Sequence, residues 1–216
     1  MTASLKITNT MIFYEAASKE TFKRVLSNLN RITSSAKPRI ATIISNSLNN
    51  SSTVQSLLSG KLRDDFGLFG NVVDVTIAGI VKHISENIKL QIDKSNKAGS
   101  ILTISVELLP GDFSRLVSIP GGSIPSRGGP VDWLEWLLTK GTQVVIADYW
   151  LYPNAKGFTR SGGSSIMKKI ESTPRDPFRV DPNYAGTADD NFITRAIEPY
   201  HDDILNIVAS ELSRSI

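Results

Sequence analysis

Val73-Asp-Val-Thr-Ile77 sets apolar and polar residues in strict alternation, the period-two pattern of a strand with one face on a core and one in solvent. The pattern returns at Ile88, Leu90 and Ile92, separated by Lys89 and Gln91. It returns again at Leu102, Ile104, Val106 and Leu108, separated by Thr103, Ser105 and Glu107. Half-buried strands of this kind belong to antiparallel sheets, and the short polar connection 94–100 predicts a hairpin from the last two. Thr142 to Tyr152, with Val144, Val145, Ile146, Tyr149 and Trp150, reads as a further strand of the same sheet.

Long helical patterns flank the strands. From Lys19 to about Ser47, Phe22, Val25, Leu26, Leu29, Ile32 and Ala36 share one face, and Ile40, Ile43, Ile44 and Leu48 continue it past Pro38. A proline there bends one helix or splits it into two. At the other end, Thr187-Ala-Asp-Asp-Asn-Phe-Ile-Thr-Arg-Ala-Ile-Glu-Pro-Tyr200 opens a helix running to about Ser213. Thr187, Asp189 and Asp190 are suited to cap its first turn, and Pro199 predicts a kink or short break. Between these lie a short helical turn at Thr53–Leu58, a compact turn from Ser59 to Leu68 with a glycine near each end, and a short amphipathic helix at Asp132–Leu138 stopped by Gly141.

The expected fold is therefore α+β. A mostly antiparallel sheet of about four strands is packed by a long N-terminal helix, or helix pair, and a long C-terminal helix, in a single domain over 1–216. Two long loops interrupt it. The stretch 110–130 holds five Gly and four Pro, too few side chains for a self-packed loop, which predicts mobility until a partner orders it. The middle of the stretch 153–186, Lys156 to Arg179, is basic: Lys156, Arg160, Lys168, Lys169, Arg175 and Arg179 stand against Glu171 and Asp176, a local +4. As partner contacts the reading singles out Ile119 and Ile124 in the first loop, and Arg160, Lys168, Lys169, Arg175 and Arg179 in the second.

The 216 residues are 40% hydrophobic and 21% charged, with a formal net charge of +3 and no cysteine. That composition is ordinary for a globular protein, and it excludes disulfides and thiolate metal sites. No apolar run reaches the ~18 residues of a membrane span, and no signal-peptide core stands at the N-terminus, so synthesis in the cytosol is expected. The pI of 9.1 hints at anionic partners. The first helix is lopsided in the same sense: Lys19, Lys23, Arg24, Arg31, Lys37 and Arg39 against Glu20. It reads as a solvated face or as one turned toward an acidic partner.

No catalytic constellation emerges. His83 and His201 are the two histidines, and His201 with Asp202 and Asp203 is too tightly spaced on a helix to face one metal. The carboxylate pairs Asp64-Asp65, Asp189-Asp190 and Asp202-Asp203 are what a nuclease would use to hold Mg²⁺, but capping and solvated faces account for them. Gly157-Phe-Thr-Arg-Ser-Gly162-Gly163-Ser164 has the glycine spacing of a phosphate-binding loop, with Gly163 where the lysine belongs. Trp133, Trp136, Tyr149 and Trp150 would suit stacking on single-stranded nucleic acid; their spacing suits core packing better. No catalytic residue, cofactor or metal is assigned.

Several segments, in order, resemble a known family. Leu57-Leu-Ser-Gly-Lys-Leu-Arg-Asp-Asp-Phe-Gly67 is similar to the small-Gly-x-Leu-Arg turn that follows the long first helix of tail-completion and neck (head–tail joining) proteins of tailed bacteriophages. The aromatic strand ending in Tyr149 and the entry Asn191-Phe-Ile-Thr-Arg-Ala-Ile197 resemble that family's closing Phe-Leu-x-x-Ala helix. Arg160-Ser-Gly-Gly-Ser-Ser-Ile-Met167 and Tyr184-Ala-Gly-Thr-Ala-Asp-Asp190 look like other segments of phage neck proteins. The inserts at 110–130 and 153–186 depart from the shorter members. The resemblance implies a small α+β virion protein without catalytic residues, a homo-oligomeric ring, expected as a hexamer, in the neck at the head–tail junction. Its implied neighbours are head-completion or connector rings and tail-tube or terminator rings, with packaged DNA in the lumen and no membrane. A tail terminator or head-closure protein is the alternative within that class, and a Mg²⁺-dependent nuclease or DNA-binding module the alternative outside it.

Overall fold

The segment read as the first strand is a helix. In the computed structural model, Val73 to Ile77 lies within α4, Val72–Asn87. Five residues fit either period; the longer window decides. Val73, Ile77, Ile80 and Ile84 follow at steps of four, three and four and are all buried, whereas Val75, which a strand would bury beside them, is 45% exposed.

The structure describes residues 6–12, 15–94, 101–108, 114–125, 130–141, 144–146, 149–152, 166–169 and 178–214, with side chains over 23–91, 105–108, 115–125, 130–141 and 180–214. Among these the chain is mostly helical, which corrects the α+β expectation. Among the described residues no four-stranded sheet forms. The hairpin of β2, Lys89–Lys94, and β3, Ile101–Glu107, carries β1, Lys6–Ile12, on its other edge, all antiparallel in the order β1-β3-β2. Glu107 stands in register between Lys6 and Lys89, opposite charges on neighbouring strands. Thr142 to Tyr152 does not join this sheet. It divides into β4, Val144–Ile146, and β5, Tyr149–Tyr152. These pair separately with β7, Phe178–Arg179, and β6, Ile166–Lys169, out of the segment expected as the basic loop.

The remaining helices are α1 (Glu15–Asn50), α2 (Ser52–Ser59), α3 (Lys61–Phe66), α5 (Ser114–Val117), α6 (Trp133–Glu135, running on as a π-helix Trp136–Lys140), α7 (Phe192–Ile197) and α8 (His201–Ser213). Pro38 sits inside α1 without dividing it. At Pro199 the expected break is present, as a 3₁₀ turn Glu198–Tyr200 between α7 and α8. Among the described residues no helix is long and apolar enough to cross a membrane.

The chain divides into two compact units. One takes residues 2–45, 81–112 and 197–216. Its long helix buries Val25, Ile32, Ala36, Ile40 and Ile44, and its C-terminal helix buries Ile204, Val208 and Leu212. The two helices are joined by Arg39 Nη1, which donates to Glu211 Oε1 at 3.0 Å. Arg214 donates to the same oxygen at 2.9 Å, so a carboxylate that is 9% exposed has two cations, as a buried charge requires. The other unit takes residues 46–80 and 113–196. It is built around Trp133, Leu134, Leu137 and Leu138 of α6 and its π continuation, together with Leu57, Leu62, Phe66, Phe192 and Ile193.

Candidate functional site

In the second of these units α2 and α3 meet the segment 180–196. Ser51 caps α2, its Oγ accepting from Val54 N–H at 3.3 Å. Ser56 Oγ then accepts from Leu62 N–H at 3.1 Å, across the break at Gly60 that starts α3. Gly67 ends α3 at φ 65, and the Leu68 N–H returns to the Arg63 carbonyl at 2.9 Å, a left-handed stop natural to glycine. The turn faces Leu62 and Phe66 inward, with the Phe66 ring 6.5 Å from that of Trp133.

Lys61 Nζ lies 3.4 Å from Asp181 Oδ2, joining the α2–α3 turn to the segment 180–196. Asp181 Oδ1 accepts from the Asn183 N–H at 3.0 Å; that bond, with Lys61 assisting, holds its carboxyl below the ordinary value. Gly186 follows, its carbonyl accepting from Gly141 N–H at 2.9 Å. Then Thr187 Oγ1 accepts from Asp190 N–H at 3.1 Å.

Asn191 opens α7. Its Oδ1 accepts from Ile193 N–H at 3.0 Å and Thr194 N–H at 3.3 Å, its Nδ2 donates to the Thr187 carbonyl at 3.0 Å, and its own N–H donates to Thr194 Oγ1 at 2.9 Å. This is a capping box, and it corrects the expectation that Thr187, Asp189 or Asp190 caps the helix. Asp190 instead grips Arg195 two-pronged, Nε to Oδ1 at 2.5 Å and Nη2 to Oδ2 at 2.9 Å. The guanidinium holds the Asp190 carboxyl below its ordinary value, and Asp190 raises Arg195. Because Asn191 is fully buried, Asn191→Ala should destabilise the protein by about 2 kcal/mol, the upper end for a cap. Alanine at Thr187 and Asp189 together should cost under ~1 kcal/mol. Urea unfolding of the two variants checks the order, and equal losses would return the cap to the earlier residues.

Asp65 has a different environment. Burial raises its carboxyl from 3.8 to about 6, against the opposing pull of Lys61 and with Asp64 and Asp181 adding to the rise. Between those two values the folded protein binds a proton that the unfolded chain has released, so stability falls as pH climbs through that window. Half-exposure discounts the effect to about 1 kcal/mol. Asp65→Asn should remove it, making the variant the more stable protein at pH 7 and equal to the parent near pH 4. A stability difference that is constant from pH 4 to 7 would contradict this origin.

Of the residues expected to contact partners, Ile124 and Ile119 pack within their own unit. Ile124 is 6% exposed and exchanges backbone hydrogen bonds with Val131 at 3.1 and 2.9 Å, and Ile119 lies against Gly79. Lys168 and Lys169 lie on β6 and Arg179 on β7, where only the backbone is described. Arg160 and Arg175 lie outside the described residues, as does the phosphate-loop-like segment 157–164. The 110–130 stretch contains α5, and its Ile124 forms an antiparallel bridge with Val131. Trp133 is fully buried and its Nε1 donates to the Gly121 carbonyl at 2.7 Å; Trp136 is half-buried, and the side chains of Tyr149 and Trp150 are not among those described. Asp64 and Asp189 belong to one unit and Asp202 to the other. Among the described residues no three His, Asp or Glu are grouped to hold a metal ion.

The signal that sequence reading passed over was the three-residue spacing Asn191 to Thr194, one step beyond a run of equally plausible caps. No protein-family model, no curated protein sequence and no solved structure matches the chain.

Proposed function

We propose that the protein is a structural component of a tailed-bacteriophage virion, one copy of a homo-oligomeric ring, expected as a hexamer, in the neck at the head–tail junction. One observation carries the reading. The segments whose sequence resembles neck proteins, 57–67 and 184–197, lie far apart in the chain, yet the first and all of the second but Ile197 belong to one compact unit, pinned by the Lys61–Asp181 pair just outside the second of them. A shared architecture demands such a meeting, whereas chance similarity of short motifs does not. In this reading the chain catalyses no reaction of its own. Its chemistry is surface recognition: a heterologous contact between identical neighbours that closes into a ring, and a second contact with adjoining head-completion, connector, tail-tube or terminator rings.

The basic stretch from Lys156 to Arg179 makes the second contact, its local +4 meeting an acidic face of a neighbouring ring. Arg160→Ala, Lys168→Ala and Lys169→Ala together should abolish incorporation into particles while leaving the ring itself intact. Assembled particles that retain packaged DNA poorly would turn the stretch toward the lumen and the genome. Full particles of normal infectivity would remove it from any contact.

A further inference from the structure

From Thr21 to Arg63 the sequence has no aspartate or glutamate, and it carries Lys23, Arg24, Arg31, Lys37, Arg39, Lys61 and Arg63. Solubility needs charge of either sign, and ordinary surfaces intersperse both, so an acid-free stretch of this length asks for another reason. Most of it is α1. Apart from Leu26 and Pro38, every exposed residue of α1 between Lys23 and Asn50 is Lys, Arg, Ser, Thr or Asn. At 100° per residue, Arg24, Arg31, Ser35, Arg39 and Thr42 fall on one side of the helix, with Arg24 and Arg31 two turns, about 10 Å, apart. Lys23, Arg24, Arg31 and Arg39 are all exposed, Arg39 while also donating to Glu211.

We infer that the solvent face of α1 binds the phosphodiester backbone of a nucleic acid duplex. The side-chain set decides between a polynucleotide and an acidic protein. Protein interfaces need an apolar centre ringed by polar groups, and among the described side chains of α1 Leu26 is the one large exposed hydrophobic. Phosphate contacts are made by Arg, Lys, Ser, Thr and Asn, and interfaces with DNA are more polar and more basic than those between proteins. Binding of this kind reads no base sequence, and its strength follows the salt concentration. The inference does not rest on the ring, because a free subunit presents the same helix face.

The test uses the full chain and a fluorescently labelled mixed-sequence duplex of about 30 base pairs, titrated by polarisation at several salt concentrations. Lys23→Gln, Arg24→Gln and Arg31→Gln together keep helix propensity at exposed positions. They should weaken binding about tenfold at ~50 mM salt and flatten the slope of log affinity against log salt by about 2 to 3. Removing equal charge elsewhere, with Lys82→Gln, Arg115→Gln and Lys140→Gln, should change affinity less than about twofold. Both DNA and RNA duplexes should bind, the tighter naming the natural source. The inference is overturned if the parent protein binds neither duplex at low salt, if the two triple variants lose equally, or if polyglutamate of similar length competes as well as DNA.

Discussion

Trp133→Ala should destabilise the unit that contains it by about 4 kcal/mol, among the largest losses available to a single truncation. The side chain is fully buried, stacks at a tilt on Phe66 and donates its indole N–H to the Gly121 carbonyl. Truncation opens a cavity where α3 meets α6 and also strands that carbonyl. Trp133→Phe separates the two terms, since it keeps most of the ring volume and loses only the donor; it should cost about 1 to 2 kcal/mol. Urea unfolding of both variants measures the difference. A loss below ~1 kcal/mol for the alanine variant would mean that the indole is not the centre of this core.

Gly186→Ala should be nearly as damaging, through the backbone. A Cβ at Gly186 would overlap the Leu137 carbonyl oxygen and stand 2.7 Å from Asn191 Cβ. Neither is the far end of a flexible side chain, so the segment must move and give up the Gly141 N–H bond to Gly186 and the seating of the Asn191 cap. The expected cost is about 3 kcal/mol or more. Gly70→Ala is the instructive contrast: φ is +60 but nothing lies within 4 Å of its added Cβ, so only local strain of about 1 kcal/mol is at stake. Thermal unfolding should rank the two clearly, with Gly186 much the worse; the reverse order would contradict the close approach to Leu137.

What the sequence disclosed, and what it hid, follows from how far each interaction reaches along the chain. The boundaries at Gly60 and Gly67 were legible because glycine punctuates locally, although the residues between them, read as a turn, form α3; the break at Pro199 was legible because proline acts on its own backbone. The β2–β3 hairpin was legible from alternation around a short connection. The error at Val73–Ile77 came from a five-residue window that satisfies both periods, which Ile80 and Ile84 resolve in favour of a helix. Strand β1 gave little signal, since Thr8, Asn9 and Thr10 blur the alternation and its place is fixed by pairing with β3 far along the chain. Val144 to Tyr152 carried strand composition but no information about partners, and its partners lie in a segment whose own composition reads as loop. Gly186 could not be assigned a role without Leu137, and the meeting of Lys61 with Asp181 has no local sequence signature at all.

The structural reading of the protein as one copy of a closing ring is tested most directly by its mass. Native mass spectrometry of the purified full chain, together with its copy number per particle when it is co-produced with the other virion proteins, measures that quantity. A single closed assembly of identical copies, expected as six, with the same number found in each particle, is the result the account predicts. A protein that stays monomeric at high concentration and is absent from purified particles would contradict it.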